Sequence, residues 1–132
     1  MVFRIGWLRR LFGNQGEREA ARYLKRQGYR ILARQSRSRM GEIDLIALDQ
    51  NTIVFVEVKT RRSQRAGHPS EAVDREKQRQ LTRAALAWLK RRRRLNSPGR
   101  FDVIAITWQA GQAPLIQHYR NAFEATGFGQ MY

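Results

Sequence analysis

The chain has 132 residues, no cysteine and a hydrophobic fraction of 42%, which suits one domain with a single core better than two domains. Its 26 Lys and Arg against 11 Asp and Glu give a net charge of +15, so polyanions are the expected partners, nucleic acid before an anionic membrane surface. The absence of cysteine and the presence of only two histidines exclude a disulfide framework and a cysteine or histidine-rich zinc site. Any metal must therefore be bound by carboxylate oxygens, which favours Mg²⁺ or Mn²⁺.

The first 13 residues form a basic amphipathic segment. Its large apolar residues share one helical face, with Arg9 and Arg10 beside it, and we expect this face to dock on the core or on a second subunit. An interfacial helix on a membrane is the alternative. The segment lacks the apolar run and cleavage site of a signal peptide, and no stretch reaches transmembrane length, so a cytoplasmic location is expected. The apolar residues are Phe3, Trp7, Leu8, Leu11 and Phe12.

A helix is predicted over residues 14–27. Asn14 and Glu17 have the spacing of a capping box, and Gly28 marks the end. Glu17 lies at the start of the apolar face that continues through Ala20 and Leu24, so it points inward from the first turn. Glu17 is therefore either a capping residue, a site residue, or both.

An antiparallel hairpin is the most strongly predicted part of the chain. It consists of strands at 42–48 and 53–60 joined by turn residues at 49–51. A short strand at 29–33 and a basic connection at 35–41 precede it.

The remaining elements alternate between helix and strand. After a basic loop at 61–69, a long helix is predicted from Ser70 or Asp74 to about Leu95, followed by strands at 101–108 and 115–119. Residues 14–124 therefore form one domain, an α/β fold with a single sheet and helices packed on it, and the glycine-rich residues 125–132 form a flexible tail.

Two carboxylates and one lysine of the hairpin form the candidate active site. Glu57 and Lys59 share a strand face because alternate side chains do so. Asp44 lies on the partner strand, and an even-numbered turn places it opposite Glu57, whereas an odd one puts the two on different faces. Facing carboxylates repel unless a cation lies between them. The sequence therefore predicts Asp44 and Glu57 as ligands of Mg²⁺, Glu17 as the candidate third ligand, and Lys59 beside the attacking water. The plain alternative is a solvated hairpin edge.

Several basic residues are candidate contacts for a nucleic-acid backbone. Lys77 opens the core-facing stripe of the long helix, where it could contact a phosphate or simply extend its stem over the core. The arginines on both sides of the hairpin are Arg37, Arg39, Arg61, Arg62 and Arg65.

The motifs Gly41-Glu-Ile-Asp-Leu-Ile-Ala47, Phe55-Val-Glu-Val-Lys-Thr-Arg61, Glu71-Ala-Val73 and Arg100-Phe-Asp-Val-Ile104 occur in order along the chain. Together they resemble the uncharacterised bacterial YraN family. The resemblance covers about residues 16–123, nearly the whole chain. That family is similar to the PD-(D/E)xK nucleases and, in fold, to archaeal Holliday-junction resolvases.

The resemblance implies a restriction-endonuclease-like core, a single mixed sheet flanked by helices. It matches Asp44, Glu57 and Lys59 to the acidic-acidic-basic motif and Glu17 to the helix glutamate of resolvase-like members. Ile43 stands where many of these nucleases have proline.

Three functions are compatible with this sequence. The first is a Mg²⁺-dependent endonuclease that cuts DNA, including branched or recombination intermediates. The second is a non-cleaving nucleic-acid-binding or repair and recombination accessory module, because fold membership does not prove cleavage. The third is a basic adaptor that docks through residues 3–12. A resolvase acts at two sites of a two-fold junction, so a homodimer is also considered.

Overall fold

A computed structural model describes residues 15–62 and 73–125 of the chain. The predictions for the segment 1–13, for Asn14 as a cap, for Arg65 in its loop and for most of the tail lie outside these residues. The elements in chain order are α1 (residues 15–26), β1 (Arg30–Ser38), β2 (Gly41–Asp49), β3 (Thr52–Arg61), α2 (Arg75–Arg91), β4 (Gly99–Thr107) and β5 (Leu115–Phe123).

The five strands form one mixed sheet in the order β1-β2-β3-β4-β5. Neighbouring strands are antiparallel except β3 and β4, which are parallel and are connected through α2. A parallel pair needs such a crossover because the chain must return to the same end of the sheet. The architecture confirms the predicted α/β class and agrees with a restriction-endonuclease-like core. No helix in the described ranges is long and apolar enough to cross a membrane.

Each face of the sheet carries its own hydrophobic core. On one face, α1 contributes Ala20, Ala21 and Leu24, which pack on strand residues such as Val54 and Ile104. On the other face the stripe of α2 meets the alternate residues of the same strands. The main members of that second cluster are Ile46, Phe55, Leu81, Ala84, Trp88, Leu89, Phe101 and Val103. The near-continuous apolar run of β3 is explained by this burial on both sides.

Two glycines let the helices come close to the strands that carry the candidate site. A Cβ at Gly16 would overlap the Cγ2 of Thr60, so the glycine allows the start of α1 to approach β3. Gly41 lies against the side chain of Gln80 of α2. Its φ of +132 is a backbone conformation that residues with a Cβ rarely adopt.

Several predicted boundaries were wrong, among them the end of β5, which continues to Phe123 instead of residue 119. Residues 35–38, predicted as connection, continue strand β1, because an edge strand pairs on one side and accommodates polar side chains on exposed positions. The long helix ends at Arg91 instead of Leu95. There the backbone N–H of Arg94 donates to Leu89 O at 2.8 Å, and Arg93 adopts φ 54, which is a Schellman ending formed without the usual glycine.

Candidate metal centre

The hairpin brings Asp44 and Glu57 to the same place. Its turn has two residues, Gln50 and Asn51, and pairing runs from Asp49 and Thr52 to Leu45 and Val56. The next step of this register places Asp44 opposite Glu57, as an even-numbered turn requires. The Oδ2 of Asp44 accepts a hydrogen bond from the backbone N–H of Val58 at 2.8 Å. The turn is therefore even-numbered, the condition under which the sequence predicted that Asp44 and Glu57 face each other.

Burial makes the two carboxyl groups unusually hard to ionise. Glu57 is 8% exposed, and burial, reinforced by the neighbouring Asp44, raises its pKa to about 7. Burial also raises the pKa of Asp44, and the two side chains are close enough to hydrogen-bond to each other. A buried acid in contact with a half-buried one favours sharing a proton or binding a cation over carrying two charges.

Two further carboxylates, those of Glu17 and Glu42, lie close to Asp44. One oxygen from each of Glu17, Glu42 and Asp44 can be chosen so that all lie within 4.8 Å of one another. Burial and the nearby Asp44 raise the pKa of Glu17 to about 7, although Gln35 opposes this with a hydrogen bond. This acidic cluster could hold a metal ion, because hard carboxylate oxygens are the ligands that Mg²⁺ and Mn²⁺ prefer.

Glu42 was not predicted as a site residue, although its spacing from Asp44 indicated it. Glu42 and Asp44 are two positions apart in β2, the same spacing that related Glu57 to Lys59 in β3. The structure joins Glu42 to Glu17 and Asp44, while Glu57 contacts Asp44 but is not a member of that group of three. Asp44 is thus the residue common to both contacts.

Two lysines face Glu57. Lys77, in the first turn of α2, has its Nζ 3.8 Å from Glu57 Oε2. Lys59 is half-buried on the strand that carries Glu57, and the charges of both lysines oppose the rise in the pKa of Glu57. The helix start itself is fixed by Asp74, whose side chain accepts from the Lys77 N–H at 2.8 Å. Asp74 was one of the two predicted helix starts.

The candidate backbone-binding arginines lie in different settings. Arg37 is exposed, with its Nε 3.6 Å from Glu42 Oε2, and Arg39 is exposed in the turn between β1 and β2. Arg62 is exposed just after β3. Arg61, predicted to begin a loop, is instead the last residue of β3 and donates to Thr107 Oγ1 at 3.2 Å and to Gln117 Oε1 at 3.0 Å.

A second polar cluster is buried beneath α1, and it was not predicted from the sequence. Asp102 is fully buried, and its carboxylate accepts hydrogen bonds from Arg100 Nε at 3.0 Å, His118 Nε2 at 2.7 Å and the backbone N–H of Asn121 at 2.9 Å. Burial alone would raise the pKa of Asp102, but these hydrogen bonds hold it below its usual value. A carboxylate only accepts, so Nε2 donates. The other ring nitrogen lies 3.1 Å from the hydroxyl of Tyr23.

The comparisons with known proteins identify the family. The model of the uncharacterised protein family UPF0102 matches residues 16–106. The chain belongs to this family. The resemblance to the YraN family drawn from the sequence motifs is thereby confirmed. The matched range contains all four carboxylates of the site and Lys59.

Similar UPF0102 proteins occur in several bacteria. The protein of Geobacter metallireducens is 54% identical over 112 residues, covering 85% of this chain and 91% of the relative. That of Geobacter sulfurreducens is 53% identical over 115 residues, covering 87% and 90%. The protein of Trichlorobacter lovleyi is 50% identical over 121 residues, covering 91% and 95%. None of these three names states an activity.

The first prediction concerns the ligand role of Glu17. Replacing Glu17 by Gln is expected to lower the affinity for Mn²⁺ at least about tenfold, since even groups that only support a ligand are worth about 10- to 100-fold. Glu19→Gln is the matched control, because Glu19 pairs with Arg22 along the helix at 2.9 Å. Isothermal titration with Mn²⁺ measures both. Equal affinities for the two variants would remove Glu17 from the site.

The second prediction concerns pH. Glu57 has a folded-state pKa of about 7 against an ordinary 4.5, so the folded protein holds this proton over a range in which the unfolded chain has lost it. The contribution of Glu57 to stability therefore falls as pH rises from about 4.5 to 7. A bound cation favours the ionised carboxyls. The increase in melting temperature caused by Mn²⁺ should accordingly be small at about pH 5 and largest above about pH 7; a pH-independent increase would contradict the assignment.

Proposed function

We propose that this protein is a Mg²⁺- or Mn²⁺-dependent phosphodiesterase that cuts nucleic acid, with DNA as the expected substrate. The observation that carries the proposal is the pair of Asp44 and Glu57 in contact at the end of the hairpin. Glu57 is 8% exposed and Asp44 is half-buried, and placing two partly desolvated acids side by side has a cost that a purely structural hairpin does not need.

The donor set fits a hard divalent cation. Asp44 and Glu57 would hold it from the hairpin, and Glu17 or Glu42 would complete the carboxylate ligands. Mg²⁺ usually takes one or two carboxylates and keeps several waters, which leaves room for a phosphate oxygen. When bound, the metal would supply positive charge for the phosphate and lower the pKa of an attacking water.

The lysines would complete the chemistry. Lys59 lies on the strand face of Glu57, where it would orient the attacking water and place a positive charge beside the developing phosphorane. Lys77, with its Nζ 3.8 Å from Glu57 Oε2, would contact the phosphate once a cation neutralises the carboxylates. Lysine suits both positions because its compact ammonium acts as a point charge.

The net charge of +15 supports a polyanionic substrate. Arg37, Arg39 and Arg62 are exposed on the two sides of the hairpin, where they would hold the backbone, and Arg65 is predicted to join them. Contacts from arginine to phosphate carry no sequence information, so shape is the expected basis of selection. Branched recombination intermediates are candidate substrates, and a homodimer with two sites would suit a two-fold junction.

The decisive experiment is a cutting assay. Labelled single-stranded, duplex and four-way-junction DNA, with a matched RNA, are incubated with purified wild type and with Asp44→Ala, in Mg²⁺, Mn²⁺ or EDTA. Cutting is expected in the metal lanes of the wild type and in no lane of the variant. Cutting that persists in Asp44→Ala or in EDTA would refute the proposed site.

The net charge also favours a second candidate, a nucleic-acid-binding or recombination accessory module that does not cut. It predicts tight, salt-dependent binding by the wild type without product in any metal lane. The two candidates are separated by measuring binding in EDTA alongside the cutting assay.

A further inference from the structure

A basic cleft lies at the opposite end of α2 from Lys77, beside the turn between β2 and β3. It has a volume of about 470 Å³ and is lined by Arg30, Arg92 and Arg94 together with the amides of Gln50 and Asn51. Such a volume is within the range of small-ligand sites and far exceeds the roughly 30 Å³ that one water occupies. The lining contains no carboxylate.

No acid in the described part of the chain forms a salt bridge with the arginines of this cleft. Within residues 15–62 and 73–125, none of the three lining arginines forms a salt bridge. The acidic residue next to the turn, Asp49, instead accepts from Arg100 Nη1 at 3.1 Å. Since Arg100 also binds the buried Asp102, Asp49 is held by a network separate from the cleft.

The backbone at the end of α2 selects which arginines face the cleft. In the Schellman ending, the N–H of Arg93 donates to Lys90 O at 3.1 Å and Arg93 has φ 54. Arg92 and Arg94 line the cleft, whereas their neighbours Arg91 and Arg93 do not. The run Arg91 to Arg94 thus contains two pairs of equal charge: Arg92 and Arg94 line the cleft, and Arg91 and Arg93 lie outside its lining.

Trp88 provides a rigid support for one of these arginines. Its ring is 5% exposed and lies beneath the guanidinium of Arg92, 4.9 Å from the ring centroid. Stacking on an aromatic face leaves the N–H donors at the edge of a guanidinium available to an anion. The indole Nε1–H of Trp88 is buried and has no hydrogen-bond partner among the described residues.

We propose that this cleft binds phosphodiester backbone and is a second anchor for the nucleic acid that the metal centre acts on. The proposal rests on the proposed nucleic-acid function and extends it. Guanidinium groups bind phosphate through two parallel N–H donors, and three of them around one cleft suit several phosphates of one strand better than a single small anion.

The distance between the two sites sets a minimum substrate length. Lys77 and Trp88 are eleven positions apart on α2, which corresponds to about 16 Å at 1.5 Å per residue. Successive phosphates of one strand advance by about 3.4 Å along a duplex axis, so about five nucleotides separate a phosphate at the metal centre from one in the cleft. A duplex of about four base pairs should therefore reach only one site.

The test compares two double variants of the same arginine run. Fluorescence anisotropy in EDTA measures binding of a labelled 15-nucleotide DNA strand to wild type, Arg92→Gln/Arg94→Gln and Arg91→Gln/Arg93→Gln across a salt series. The cleft variant is expected to lose at least about tenfold in affinity and about one unit of salt slope per lost phosphate contact. The control variant, with the same charge change, should lose less than about threefold. Equal losses would overturn the cleft assignment.

A site-specific measurement completes the test. The indole N–H resonance of Trp88 is followed by NMR and assigned with Trp88→Phe. On addition of the 15-nucleotide strand, it should shift in the wild type and not in Arg92→Gln/Arg94→Gln. An unchanged wild-type signal despite binding would refute the cleft. Failure of the metal-centre proposal has a different signature, namely absent cutting while the difference between the two arginine pairs remains.

Discussion

Replacing Lys59 by Met is expected to lower the rate of Mg²⁺-dependent DNA cutting by about 10²- to 10⁴-fold, the usual contribution of a group that handles a proton in the transition state. Methionine keeps most of the length and apolar surface of the stem but removes the ammonium. The measurement is a single-turnover cutting rate on the substrate that the wild type prefers.

If Lys59 acts in the chemistry, the affinity of Lys59→Met for Mn²⁺ and its binding of DNA in EDTA should stay within about threefold of the wild type, since the carboxylates of Asp44 and Glu57 remain. A purely structural role for Lys59 would instead change these affinities as well. Lys90→Met is the matched control because Lys90 is exposed in the last turn of α2. Equal cutting rates for Lys59→Met and the wild type would exclude Lys59 from the chemistry.

Replacing Asp102 by Asn is expected to destabilise the fold by about 3–5 kcal/mol, the range for breaking a buried ion pair from one side. The side chain of Arg100 is only 18% exposed, and without the carboxylate its charge would be balanced by Asp49 alone. The change corresponds to a fall in melting temperature on the order of 10–20 °C, which thermal unfolding followed by circular dichroism would detect.

Asp74→Asn is the control for this experiment. Asp74 caps α2, and Asn caps a helix almost as well as Asp, so its effect should remain within a few tenths of a kcal/mol. The pKa of Asp102 is lowered in the folded protein, so its stabilising contribution is present above the ordinary pKa and is lost as pH falls through the lowered one. The acid side of the stability profile should therefore flatten in Asp102→Asn. An Asp102→Asn protein as stable as the wild type would show that the network contributes little.

The sequence predicted the hairpin well because its signals are local. Turn residues and alternation define β2 and β3, and the pair of Asp44 and Glu57 follows from counting across a two-residue turn. The start of α2 was likewise local, since Asp74 accepts from the N–H three residues later. Where one element contains the whole signal, pattern and structure agree.

The remaining features depend on contacts that the sequence does not display. The buried network beneath α1 joins Arg100 and Asp102 of β4 to His118 of β5 and Tyr23 of α1, residues far apart in the chain. Glu42 differs, since its spacing from Asp44 was visible in the sequence, but the acidic-acidic-basic motif matches Asp44, Glu57 and Lys59 and leaves Glu42 out. The end of α2 was misplaced because Arg93, instead of a glycine, adopts the left-handed conformation.

The pairing of β3 has a consequence for synthesis on the ribosome. Its ladder with β2 ends at Val56, whereas Glu57 to Arg61 pair with residues 103–107 of β4. The strand segment that carries Glu57 and Lys59 thus has no ladder partner until β4 has left the exit tunnel. A nascent chain that stops before residue 99 can form the hairpin but not this half of the sheet. The proposed cutting activity would then require most of the polypeptide, so truncated products are expected to cut no DNA in the assay.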